Sequence, residues 1–127
     1  MLLEHGIGGN SLDNSYIQPI LSAAGYKSCS YDRAGYSYSA AGPYPRSFRN
    51  EASDAHALVK ALGHAGDMLV HGGHSTGAGI VRTHYGMYKD GGMIAGLVLN
   101  DPIGPERHYG MDCATAKVRP AARARCR

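Results

Sequence analysis

The chain has 127 residues and a mass of 13.4 kDa, of which 43% are hydrophobic and 18% charged. That length fits one small domain with a real core, and the composition excludes a charge-rich disordered chain and a coiled coil. No apolar run approaches the ~18 residues of a membrane helix, and the net charge of +3 is unevenly placed, with −2 over residues 1–106 and +5 over residues 107–127.

Strand and helix signals alternate along the chain. Residues 1–4 read as a short apolar strand ending at His5-Gly6-Ile7-Gly8-Gly9. Ile17, Ile20, Leu21 and Ala24 then recur at i, i+3, i+4 and i+7, one face of a helix capped by Ser11 or Asp13 and ended by Gly25. Residues 26–31 (YKSCSY) read as a second strand and residues 32–45 as a Gly/Ser/Tyr/Pro loop. Ala55, Leu58, Val59 and Leu62 predict a second helix that stops at Gly63 and Gly66. Met68-Leu69-Val70 is a third strand, running into Gly72-Gly73-His74-Ser75-Thr76-Gly77. Ile80, Val81, Tyr85 and Tyr88 share the stripe of a third helix that ends near Gly91-Gly92. Residues 94–99 (IAGLVL) form a fourth strand, closed by Asn100-Asp101-Pro102. This alternation predicts an α/β fold: a parallel sheet of about four strands, flanked by helices and joined by right-handed crossovers. The open outer edges of such a sheet favour self-association.

The core is expected over residues 1–106. Residues 107–127 are basic and Ala/Arg-rich with almost no apolar face, and read as an irregular or disordered tail. A basic arm can bind nucleic acid or an anionic membrane. The rest of the chain carries no basic stripe, so no nucleic-acid partner is expected. Cys29, Cys113 and Cys126 show neither CxxC nor Cys/His zinc spacing. A disulfide scaffold is therefore not expected, and a reducing, cytoplasmic setting is. Met1-Leu2-Leu3 runs straight into Glu4 and His5, too short for the core of a signal peptide.

Two segments carry chemistry. Gly73-His74-Ser75-Thr76-Gly77 matches G-x-S-x-G between a predicted strand and a predicted helix. A serine on such a turn stands out from the sheet, its neighbours must be small because the backbone is crowded, and the helix behind it offers free N–H groups to an oxyanion. The alternative is a plain tight turn in a Gly-rich chain. His5-Gly6-Ile7-Gly8-Gly9 is the second segment, a turn able to aim N–H groups at developing negative charge or simply to join strand to helix. If the first and third strands are neighbours, both turns meet at the carboxyl edge of the sheet, where ligands of such folds bind. His71, His74 and His84 have no spacing that makes their imidazoles converge, so buried or surface histidines, and no metal or cofactor, are expected. Tyr36, Tyr38 and Tyr44 either line a pocket or lie on the surface.

HGIGGNSLDN, YDRAGYSYS, PYPRSFRNEASDAHALVKALG, LVHGGHSTGAGIVRTHY and IAGLVLNDPIGPE occur in this order and spacing. Together they resemble the α/β-hydrolase superfamily over about residues 1–106, closest to its esterase- and lipase-like serine hydrolases. The resemblance implies a strand order of 2-1-3-4 and hydrolysis of a small-molecule ester or amide through an acyl-serine. Ser75 matches the nucleophile. The amides of Thr76 and Ile7, with Gly8 as alternative, match the oxyanion hole. Asp32 and Arg33 match a mainly structural loop, and His5 a turn-organising residue. Asp101 corresponds to the triad acid of some lipases or to a turn residue. The family's sheet has eight strands and its catalytic histidine follows the last; four strands are readable here and no histidine corresponds. His108 alone has the right chain order after Ser75 and Asp101. The alternative reading is a truncated, catalytically incomplete homologue, a non-enzyme or a gene fragment.

Overall fold

A computed structural model of the chain describes residues 1–64 and 66–103. The elements are β1 (Leu2–Glu4), α1 (Ile17–Ala23), β2 (Cys29–Ser30), α2 (Phe48–Ala61), β3 (Leu69–His74), α3 (Thr76–Tyr88) and β4 (Ile94–Asn100), with 3-10 turns at Ser11–Asn14 and Lys89–Gly91. The strands form one parallel sheet in the order β2-β1-β3-β4. The α/β class, the parallel sheet and the strand order are those expected from the sequence. The tail at 107–127 and His108 lie outside the described residues.

Register sets the two faces of the sheet. Leu2 stands opposite both Cys29 and His71, and Leu3 opposite Gly72. The Leu2 side packs on α2, where Leu2, Ala55, Val59, Leu69 and Met93 make the core, with Cys29, Tyr31 and Leu58 against it. From α3, Ala78, Ile80 and Val81 are fully buried. Ser47 starts α2 by accepting the Asn50 N–H at 3.3 Å, and Gly63, at φ +77°, follows its end.

α1 departs from expectation. Asn10 caps only the 3-10 turn, in a reciprocal box with Asp13, and α1 itself begins at Ile17, after Tyr16, with no side-chain cap. The periodic face at Ile17, Ile20, Leu21 and Ala24 is not buried; Ile20 is 64% exposed. Right-handed crossovers explain this. β2 lies on one side of β1 while β3 and β4 lie on the other, so α1 is placed on the sheet face opposite α2 and α3. Among the described residues no other helix joins it there, and Val98 beside Leu3 and Gly72 on that face is half-exposed. β2 is also shorter than the six residues expected, because its partner β1 is only three residues long and cannot extend the ladder. β3 is longer than expected: β4 stays paired with it up to His74 and Asn100. Of the expected stripes, Leu62 and Tyr85 are exposed while His84 is buried in their stead.

Candidate active site

β3 ends at a sharp turn into α3. Ser75 adopts φ +51°, ψ −117°, a region that costs an L-residue about 1–3 kcal/mol. The flanking glycines show what holds it there. A Cβ on Gly73 would lie 2.5 Å from the Gly77 carbonyl carbon, and one on Gly77 would lie 2.7 Å from the His5 oxygen and 2.8 Å from the Glu4 Cβ. α3 can therefore start against β1 only if position 77 has no side chain. Thr76 opens α3, so its amide is among the helix donors without an intrahelical acceptor. The end of β4 is tied to the same turn: Ser75 N–H donates to the Asn100 carbonyl at 3.0 Å, and Ile103 N–H to the Ser75 carbonyl at 3.4 Å. Asp101 sits between them, exposed and at φ +43°.

The turn after β1 lies against this elbow. A Cβ on Gly6 would come within 3.6 Å of the Ser75 Cβ and 3.1 Å of the His74 Nδ1. Ile7 is 76% exposed and Gly8 has φ +72°. Behind the turn lies a buried polar group. Arg33, 2% exposed, donates from Nη1 to Glu4 Oε2 at 3.3 Å and to the His5 carbonyl, and from Nη2 to the Gly6 carbonyl at 3.0 Å. Its face lies over the Tyr36 ring, and its Nε, 3.8 Å from Glu51, has no hydrogen-bond partner. Burial holds Glu51 above the usual carboxylate range, the Arg33 charge notwithstanding. The His5 Nδ1 donates to the Gly6 carbonyl at 2.8 Å, so its Nε2 is free to accept the Arg33 N–H at 3.4 Å. Burial lowers the His5 pKa, which keeps the ring neutral in these two roles.

Glu4 continues inward. It accepts from Tyr31 Oη and from His71 Nε2, the latter at 3.2 Å. Burial acts to raise its carboxyl, but the hydrogen bonds from His71 and Tyr31 and the Arg33 charge outweigh it and hold the group below the usual range. A carboxylate can only accept, so the proton between Glu4 and His71 sits on His71 Nε2, at the inner end of a row of imidazoles. His71 Nε2 donates to Glu4, His71 Nδ1 and His84 Nδ1 share a hydrogen bond at 3.0 Å, and His84 Nε2 and His56 Nδ1 share another at 3.3 Å. His56 closes the row near the surface, stacked on Tyr88 with ring centres 3.7 Å apart. Burial pushes the His84 pKa down to about 4, helped by His71 and His56.

Ser75, Thr76, Ile7 and Gly8 are thus brought to one edge of the sheet, with Asp101 on an adjoining loop; His108 is outside the described residues. Among the described residues no imidazole is hydrogen-bonded to the Ser75 hydroxyl. His71 and His84, which sequence spacing keeps apart, are in contact, while His74 is exposed. No group of three or more described His, Cys, Asp or Glu side chains is arranged to hold a metal ion. Tyr38 and Tyr44 are exposed, and Tyr36 stands edge-on to His5. The part of the site missed by local reading is Glu4–Arg33. Its only signal was the presence of a charged residue in each of two otherwise apolar or turn segments.

No described helix is long and apolar enough to cross a membrane. The sequence matches the family described as serine aminopeptidase, S33, over residues 1–124. No curated protein matches it. Among solved structures it is similar to a probable hydrolytic enzyme from Pseudomonas aeruginosa, at TM-score 0.73 and 31% identity over 81% of this chain and 32% of that one. It is also similar to a thermophilic esterase from Thermogutta terrifontis, at TM-score 0.72 and 25% identity over 80% of this chain and 36% of that one. A monoacylglycerol lipase from Paleococcus ferrophilus shares the fold at TM-score 0.64 and 22% identity, over 80% of this chain and 37% of that one. The chain spans about a third of the length of these structures. A parallel 2-1-3-4 sheet with a serine at the turn from its third strand into a helix agrees with the sequence match, and the chain belongs to the serine aminopeptidase S33 family of α/β hydrolases.

Proposed function

We propose that the chain carries the nucleophile and oxyanion half of a serine hydrolase that cleaves a small-molecule carboxylic ester or amide. The observation that carries this reading is the backbone of Ser75, held at φ +51° where Gly73 packs on the Gly77 main chain and Gly77 on that of Glu4 and His5. A fold has little reason to keep a strained non-glycine residue at such a turn unless its side chain is used. The esterase and the lipase among the similar structures favour an ester.

In this reading the Ser75 hydroxyl oxygen bonds to the substrate carbonyl carbon while its proton passes to a general base. The carbonyl oxygen gains the negative charge, which the Ile7 and Thr76 amides receive, with the Gly8 amide as alternative. Collapse expels the alcohol or amine with the proton from the base, and water then releases the acid from the acyl-serine. Asp101, beside the elbow, is the candidate to orient the base, and His108 is the one histidine later in the chain. The second reading is a homologue that keeps the hydrolase core without its chemistry; it is favoured by the absence of a described imidazole on the Ser75 hydroxyl. Intact-mass analysis after a fluorophosphonate probe separates the two. An adduct on the wild type and none on Ser75→Ala supports the enzyme. A folded wild type that takes no adduct overturns it.

A further inference from the structure

The Gly6 carbonyl is held unusually firmly. It lies within hydrogen-bond reach of three donors: Arg33 Nη2 at 3.0 Å, His5 Nδ1 at 2.8 Å and Gly9 N–H at 3.4 Å. The carbonyl before it, of His5, takes Arg33 Nη1. A peptide group is planar, and in the trans form its C=O and N–H point in opposite directions. Fixing the Gly6 carbonyl therefore fixes the Ile7 N–H, which leaves the same peptide on the far side from Arg33. Gly6 itself backs onto Ser75. Turning this peptide over would take from a buried guanidinium one of its three acceptors, a larger penalty than losing a neutral hydrogen bond.

We propose that Arg33 is a positioning residue for hydrolysis, setting the direction of the Ile7 amide by clamping the Gly6 carbonyl from behind. The proposal rests on the serine-hydrolase reading and deepens it. A buried ion pair with Glu4 alone would leave the guanidinium free to meet both carboxylate oxygens side by side. Here it meets one, at 3.3 Å, and spends Nη2 on the turn. Only a planar fork can reach Glu4, the His5 carbonyl and the Gly6 carbonyl together; a lysine ammonium can hold the charge but not the three directions.

The test is the kinetics of fluorophosphonate labelling at Ser75, read by intact mass on the full chain and split into probe affinity and the first-order bonding rate. Loss of one oxyanion donor costs about 100- to 1,000-fold in such steps. Arg33→Lys, which keeps the charge, should slow bonding at least ~10-fold with probe affinity changed less than ~2-fold, since the donor is misaimed rather than lost. Glu51→Gln, which disturbs Arg33 away from the turn, should leave the rate as in the wild type. His5→Leu removes another of the donors to the Gly6 carbonyl and should slow bonding in the same way; it carries the test alone should Arg33→Lys not fold. Bonding rates that follow the unfolding midpoints across the three variants overturn the proposal, as does a folded Arg33→Lys that labels at the wild-type rate. A wild type that takes no label overturns the hydrolase reading, and this proposal with it.

Discussion

The two turns at the carboxyl edge of the sheet are held by opposite means. The elbow at Ser75 is held by missing side chains: Gly73 and Gly77 let the start of α3 lie directly on the main chain of β1. The turn at Gly6 is held by side chains, one of them Arg33, which lies 27 residues further along. Backbone contact needs no partner from afar and tolerates no added atom. The side-chain clamp tolerates exposure at Ile7 but depends on a buried charged group. One turn should therefore break by addition and the other by removal.

The largest effect is expected from removal. Arg33→Met takes the guanidinium from the fully buried Glu4 and leaves the His5 and Gly6 carbonyls without their charged donor. Stripping one partner from a buried pair typically costs about 3–5 kcal/mol. Urea unfolding followed by circular dichroism measures it. A loss under about 1 kcal/mol would show that the turn supports itself without the clamp.

The clamp's foundation should also titrate, where the elbow's should not. Glu4 is the acceptor at the end of the His56–His84–His71 row. His84 has a folded pKa of about 4 against an ordinary 6.5, because burial penalises its cation. Below pH 6.5 the unfolded chain takes up a proton that the folded chain refuses, so stability falls with pH down to about 4 and is fully present above 6.5. That shift corresponds to a loss on the order of 3 kcal/mol. His5 and His56, also lowered by burial, act in the same direction, and Glu51, raised by burial, opposes them at the acid end. Denaturant midpoints taken from pH 7 to pH 4.5 should fall steadily, and less so in His84→Gln. Equal slopes in the two proteins would remove His84 from the account.

The elbow should break on adding one carbon. The Cβ of Gly77→Ala would meet the His5 oxygen at 2.7 Å and the Glu4 oxygen at 2.9 Å, both main-chain atoms that cannot step aside. Overpacking of this kind costs about 1–3 kcal/mol, and here it should push α3 away from β1. Unchanged stability would mean that the strand-to-helix contact is looser than the packing implies. Gly66→Ala, where an added Cβ meets nothing within 4 Å, is the matched control.

What could be read from the sequence follows the same division. Gly73 and Gly77 stand within two residues of Ser75, so the elbow appears as a local pattern, and the sheet follows from apolar strands alternating with helical stripes. The 2-1-3-4 order came from the family resemblance, since local pattern does not rank strands. The resemblance assigns Arg33 to a structural loop but does not show its grip on Gly6, which needs β1 and β2 side by side before the guanidinium faces the turn. The His56–His84–His71 row was hidden for the same reason: two helices and a strand must pack before the three rings meet. α1 shows the reverse case. Its periodicity states which face is apolar, and periodicity cannot say whether anything covers it.

The smallest effect concerns the serine itself. Ser75 holds φ +51°, where its Cβ is crowded by its own backbone. Ser75→Gly removes that crowding but adds freedom to the unfolded chain, and the two terms nearly offset, leaving a gain of about 0.5–1 kcal/mol. Ser75→Ala keeps the Cβ and should gain nothing. Both lose the hydroxyl, so a difference between them isolates backbone strain from any loss of chemistry. Thermal midpoints of the three proteins under one buffer decide it. Equal midpoints for glycine and alanine would mean that the turn carries no strain at this position, and that the Ser75 backbone says nothing about a nucleophile. A higher midpoint for glycine alone would show stability given up to present a side chain, which is expected where that side chain is used.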